Sequence, residues 1–183
     1  MNVMKARFPR RFTLAVALLF SASIAFASGR SQVKDELFSG AEKFAANAKE
    51  STEVNLDSRL LALAGNAGGA DKQELMKKLD FVIVRSYEYA KAGDYNFADV
   101  EEFTARLNTG GWMHIVKERS GKESTDVCVK SDGDGTVSEL VVIAAEPKEL
   151  TFVHLKGHLN LKDLMKAGAS YGVPQGPIPP QKK

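Results

Sequence analysis

The chain has 183 residues, 44% of them hydrophobic and 26% charged, with 25 Lys and Arg against 23 Asp and Glu and a single cysteine, Cys128. That length suits one compact domain with a real core. The lone cysteine excludes an intramolecular disulfide, and the near-balanced charge without a basic cluster argues against nucleic acid as a partner.

At the amino end, Lys5, Arg7, Arg10 and Arg11 precede an uncharged run from Phe12 to Ala25, which closes on Ala25-Phe26-Ala27. A basic head, an apolar run and a small-residue site are the three regions of a cleavable secretory signal over residues 1–27, cut between Ala27 and Ser28. The apolar run, about 14 residues, falls short of the roughly 20 that span a hydrocarbon core, so no stable membrane anchor is expected after cleavage. Arg10-Arg11 lacks the rest of a twin-arginine motif, and no cysteine near the cut could carry a lipid. The expected destination is periplasmic or extracellular. Without the four basic residues of the signal, 21 Lys and Arg face 23 Asp and Glu, so the product is slightly acidic.

The mature chain opens with an amphipathic helical lead-in over residues 28–50, where Leu37, Ala41, Phe44 and Ala48 recur at helical spacing. Ser51 to Leu56 is a short β-like run. Asp57 can cap a helix carrying Leu60, Leu61 and Ala64, stopped by Gly65, Gly68 and Gly69. Asp71 and Glu74 have capping-box spacing for the next helix, with Leu75, Met76 and Leu79 as its stripe. Phe81 to Tyr89 is the first clear strand, and its alternation puts Phe81, Ile83, Arg85, Tyr87 and Tyr89 on one face. Asn96 begins a helix lined by Val100, Phe103 and Leu107 and ended near Gly110-Gly111. Four strands follow in succession, Trp112 to Arg119, Ser124 to Lys130, Thr136 to Ala145 and Leu150 to Leu159, separated by hairpin-length turns. A helix from Leu161 to Ala167, capped by Asn160, ends the domain, and the proline-rich tail, residues 169–183, is expected to be flexible. The fold class is therefore α+β: a single domain over residues 51–168 with an antiparallel sheet of about five strands, one strand, a helix and then a four-strand meander, and helices packed mainly on one face.

Ile143-Ala144-Ala145-Glu146-Pro147-Lys148-Glu149-Leu150-Thr151-Phe152-Val153, followed by Gly157 and the Leu161 to Leu164 helix, is the most distinctive segment. Together with Glu53-Val54-Asn55-Leu56-Asp57, Arg85-Ser86-Tyr87-Glu88 and Gly111-Trp112, it resembles the bacterial domain-of-unknown-function family 4252 over about Phe44 to Ala167. The resemblance implies an exported compact domain and carries no catalytic residue.

Chemistry-bearing residues do not converge in the sequence. His154 and His158 on one strand stand about 13 Å apart, too far to share an ion. Asp132-Gly133-Asp134-Gly135 begins like a calcium loop, but Val137 and Ile143 occupy the positions that need glycine and glutamate. Cys128 sits in a strand-like run where a small buried residue is ordinary. Glu101 and Glu102 are adjacent on a helix and point apart. No metal ligand set, cofactor motif or catalytic constellation is recognised.

Arg85, Tyr87, Trp112 and His154 remain as a candidate interaction surface, although Tyr87, Tyr89 and Trp112 also suit a core beneath the helices. The function expected is that of a non-enzymatic envelope protein binding another protein or a surface component. A small-ligand binder or hydrolase using Arg85, His114, Glu118 and His154 is the alternative, and an envelope-sensing component a further one. Export is checked by the mass of the protein recovered from its host's periplasm or medium, with Ser28 expected as the first residue. A cytoplasmic product retaining residues 1–27 would overturn it.

Overall fold

The computed structural model describes residue 33, residues 35–67, 69–133 and 135–160, and residue 163. Within these the chain forms one six-stranded antiparallel sheet: β1 (Glu50–Asp57), β2 (Leu79–Glu88), β3 (Met113–Ser120), β4 (Glu123–Ser131), β5 (Thr136–Glu146) and β6 (Glu149–Asn160). The order across the sheet is β1-β2-β6-β5-β4-β3. The expected meander is the run β3 to β6, each strand hydrogen-bonded to the next. Strand β2 adds to the far side of β6 and makes it central. The sixth strand, β1, falls on the β-like run expected at Ser51 to Leu56, which the count of about five strands left out; it pairs with β2, Val54 opposite Val84.

Register aligns one residue from every strand into rows across each face. Val54, Val84, Val153, Val142, Val127 and Val116 form one such row, and Leu56, Val82, Leu155, Leu140, Val129 and Met113 form the next. Helices α1 (Ser58–Asn66) and α2 (Ala70–Lys77) cover this valine face, with Leu61, Leu75 and Met76 against the aliphatic rows. The opposite face carries Tyr87, Phe152, Ile143, Val141 and Cys128. It is covered by α3 (Phe97–Arg106), through Val100 and Phe103, and by the segment from Asp35 to Ala48, through Phe38, Ala41 and Phe44. Helical cover therefore lies on both faces rather than mainly on one. A sheet whose two faces both alternate to apolar side chains must bury both.

The caps explain where the helices start. The Asp57 carboxylate accepts from the Arg59 and Leu60 amides and Asn96 from that of Ala98, as their positions before the apolar runs suggest. Helix α2 differs: its N-cap is Gly69 at φ 84°, and Asp71 lies inside the helix rather than at its cap. The lead-in is not an α-helix either. Residues 36–40 turn and Ala41–Asn47 form a 3-10 helix; Phe38 in the turn and Ala41 and Phe44 in the helix are its buried side. The helix expected over Leu161 to Ala167 and the tail beyond it lie outside the described residues, apart from Asp163, as does the signal segment with Ala27 and Ser28.

Gly157 fixes how β6 meets the start of β2. A Cβ there would fall against the Lys78 carbonyl oxygen and 2.8 Å from the Leu79 Cα, both backbone atoms. The His158 amide donates to that same carbonyl at 2.8 Å. Gly157→Ala must push the strands apart, and thermal unfolding is expected to show a loss of about 1–3 kcal/mol, the usual cost of overpacking a closed site. An unchanged melting temperature would mean that the approach is not tight.

Candidate functional site

The richest polar arrangement lies where the segment of residues 35–48 crosses the sheet. Two β2 residues and Tyr89 just past its end donate to three of its backbone carbonyls: Arg85 Nη1 to Phe38 O at 3.0 Å, the Tyr87 hydroxyl to Ala41 O at 2.9 Å and the Tyr89 hydroxyl to Phe44 O at 2.9 Å. Arg106 of α3 donates to Leu37 O and Ser39 O. Arg85 also pairs with Glu42 at 2.7 Å and lies 3.7 Å from Glu53. Burial pushes the Tyr87 phenol up to about 12, which keeps it a neutral donor.

His154 sits next to this ladder with both ring nitrogens occupied, Nδ1 at 3.2 Å from Asp35 and Nε2 at 3.1 Å from Glu139. Phe38, Phe81 and Trp112 enclose the ring. Asp35 Oδ1 additionally accepts from the Leu37 and Phe38 amides. Burial raises the Asp35 carboxyl, but His154 and these two amides outweigh it and hold the group below the usual carboxylate range. An imidazole with both nitrogens committed has none left for a metal or a proton in transit.

Three of the four residues expected to form an interaction surface are thus internal: Arg85, Tyr87 and His154 are buried, and Trp112 is half-buried beside Lys130, whose ammonium lies 4.5 Å from its ring. They hold the crossing segment in place instead of facing outward. The alternation that put Arg85 and Tyr87 on one face of β2 is correct, but the sequence showed neither that β6 brings His154 to that face nor that the lead-in covers it.

A second group combines Cys128, His114 and Asp126. Cys128 Sγ lies 3.2 Å from His114 Nδ1, and Asp126 Oδ1 lies 3.6 Å from the same nitrogen. A nucleophile and its orienting carboxylate need opposite ring nitrogens, so this is no relay. Cys128 is fully buried, and burial, with the Asp126 charge, pushes its thiol up to about 11, away from the thiolate that nucleophilic chemistry requires. Asp126, itself fully buried, lies 2.7 Å from Arg119 Nη2. His158 is exposed and Glu118 half-buried. Among the described residues, no group of three or more His, Cys, Asp and Glu side chains is placed to hold a metal ion.

An open cleft of about 620 Å³ lies between the 3-10 helix, the start of α3 and the turns carrying Lys122 and Pro147; Tyr95, Phe97 and Asp99 contribute to its walls. None of Arg85, His114, Glu118 and His154 lines it, so the expected small-ligand site is not assembled there. The surface feature with the clearest apolar character is β3. Met113, Ile115 and Val116 are 52%, 54% and 36% exposed, and they are three of the four exposed large hydrophobic residues among those described. Their strand was legible as a strand, but its position at the sheet edge was not, because strand order comes from long-range pairing.

Removing single hydroxyls tests whether the ladder is structural. Tyr87→Phe and Tyr89→Phe are each expected to cost about 1–3 kcal/mol in chemical denaturation, since each leaves a buried carbonyl one donor short. Asp35 contributes stability that is present above its ordinary value of 3.8 and is lost as pH falls through its lower folded value. Asp35→Asn should therefore be less stable near neutrality and should lose less than the parent chain on acidification below about pH 4. Parallel stability profiles for the two proteins would contradict the assignment.

The sequence comparisons add one relationship. No curated protein matches the chain. A family model described as Domain of unknown function (DUF4252) matches residues 44–167, which include Arg85, Tyr87, His154 and all of β2 to β6 but begin after Asp35, Phe38 and Glu42. With that match spanning most of the chain, the protein belongs to the DUF4252 family.

Proposed function

We propose that this is an exported envelope protein without catalytic activity, which binds another protein by taking an extended segment of that partner alongside β3 as a seventh strand. The carrying observation is the concentration of exposed apolar side chains, Met113, Ile115 and Val116, on one edge strand. An edge strand offers unpaired backbone donors and acceptors, and soluble proteins ordinarily guard such edges with charge. The other edge, β1, follows that rule with Glu50 and Glu53; β3 follows it only in its second half, with Lys117, Glu118 and Arg119. On β3 the backbone can supply affinity by strand addition, while the apolar side chains supply pockets for alternate residues of the guest. Fully covering one such side chain is worth roughly 1.5–3 kcal/mol.

Export is supported by the three regions of residues 1–27, and a non-enzymatic role by the way the titratable groups of the strand faces are tied to one another. The absence of a basic cluster in the sequence makes nucleic acid a poor partner. Among the described residues no helix is long and apolar enough to cross a membrane.

Site-specific photocrosslinking in the native envelope tests the proposal. A probe at Ile115 is expected to trap a partner, a probe at Glu53 on the opposite edge is not, and Met113→Glu with Val116→Glu should weaken the trapped complex about tenfold or more, the equivalent of 1.4 kcal/mol. No adduct at position 115, or equal adducts at both edges, would reject β3 as the binding edge. An adduct of exactly twice the chain mass would identify a second copy as the guest and reject a heterologous partner.

A further inference from the structure

The two faces of β3 differ in chemistry. Pairing with β4 sets Met113 opposite Val129, Val116 opposite Val127 and Glu118 opposite Thr125 on the valine face. On the other face stand His114 opposite Cys128, Lys117 opposite Asp126 and Arg119 opposite Ser124. Ile115 falls at the bulge between these registers. The edge strand is therefore apolar on one face as far as Glu118 and basic on the other, and all of these β3 residues except Glu118 are exposed.

One carboxylate serves the basic stripe. Arg119 Nη2 lies 2.7 Å from Asp126 Oδ2, and His114 Nδ1 lies 3.6 Å from Asp126 Oδ1. Lys117, between them on the strand, forms no ion pair among the described residues, so the stripe keeps an uncompensated ammonium. A strand added beside β3 would place its own side chains alternately against these two stripes, because neighbouring strands share their faces. Opposite charges facing each other across a strand pair stabilise it, and like charges destabilise it.

We infer that the segment taken up by β3 belongs to another protein and alternates acidic with aliphatic residues, its carboxylates facing Lys117 and Arg119 and its aliphatic side chains facing Met113 and Val116. This rests on β3 being the binding edge and adds what that edge selects. The ladder from Val116 to Ser120 is uninterrupted, so acidic residues two positions apart meet Lys117 and Arg119 together. A segment with lysine at those positions is rejected by repulsion, which supplies specificity beyond the backbone hydrogen bonds common to any strand. The opposite edge of a second copy fits less well: on the corresponding face of β1, Glu53 already lies 3.7 Å from Arg85, and Asp57 caps α1. Such a head-to-tail contact would also fail to close and would build fibres.

Fluorescence anisotropy on the full mature chain tests this with three labelled, end-blocked peptides, alternating Glu with Val, Gln with Val, and Lys with Val, each carrying a photoreactive residue to map where it lies. The Glu peptide is expected to bind about tenfold or more tighter than the Lys peptide, with the Gln peptide between them and adducts on β3. The preference should shrink at about 1 M salt, where screening acts beyond about 3 Å. Lys117→Glu should reverse the order of the Glu and Lys peptides. Lys117→Gln, which adds no carboxylate beside Asp126, should narrow the gap between them and serves if the first variant does not fold. Equal affinities for the three peptides, all crosslinking to β3, would overturn the acidic guest and leave strand addition at β3 standing. No binding by any peptide, or adducts away from β3, would overturn strand addition and this inference with it.

Discussion

A match of two backbone spacings holds this domain together. Alternate residues on β2 stand about 6.7 Å apart, and every third residue of a 3-10 helix advances about 6 Å. Arg85, Tyr87 and, just past the strand's end, Tyr89 follow the first spacing; the carbonyls of Ala41 and Phe44 follow the second, and the turn ending at Gly40, φ 92°, presents that of Phe38, so one side of an irregular segment meets three donors in succession. An α-helix would move its carbonyls out of step, because 3.6 residues per turn rotates the third position off the contact line. The side chains at these three positions then point into the aromatic core, where Phe38 lies 5.0 Å and Phe44 5.6 Å from Phe152, ring centre to ring centre. Polar satisfaction and apolar burial are delivered by the same residues.

That arrangement accounts for two charged or ionisable groups within the core. Arg85 and His154 occupy sheet positions where an aliphatic residue would ordinarily sit, and burying either without partners would cost several kcal/mol. Both are compensated by the crossing segment, Arg85 by a carbonyl and Glu42, His154 by Asp35. The same groups that look like a reactive cluster in isolation are therefore consumed in fastening one part of the chain to another. The family match begins at Phe44, so half of this fastening, the half supplied by Asp35, Phe38 and Glu42, comes from residues preceding the matched span.

The two faces of the sheet divide the labour differently. One is closed by aromatic packing and a hydrogen-bonded segment, the other by aliphatic rows under helices. Both edges of the sheet, β1 and β3, have a neighbour on one side only, and of the two β3 carries the exposed apolar side chains. A bulge between His114 and Val116 shifts its register there. Bulges often terminate pairing at edges, but the apolar side chains around this one remain in water. This is the part of the surface whose chemistry is least like that of an isolated soluble domain.

Local pattern alone determined the elements whose signals are short-range. The four strands of the meander, the strand carrying Arg85, the Asp57 and Asn96 caps and the antiparallel α+β class were all legible, because alternation, capping and turn chemistry act over a few residues. The tertiary structure decided the rest. The β-like run at Ser51 to Leu56 is β1, but its pairing with β2 was not legible; the lead-in is a 3-10 helix instead of the expected α-helix, and Gly69, not Asp71, stands at the N-cap of α2. It also decided which residues form a site: Arg85 and Tyr87 share a face as their spacing requires, the register with β6 adds His154, and that face is covered, while Met113, Ile115 and Val116 lie exposed on the edge strand β3. Strand order and cover are set by contacts between residues far apart in sequence, and no local periodicity encodes them.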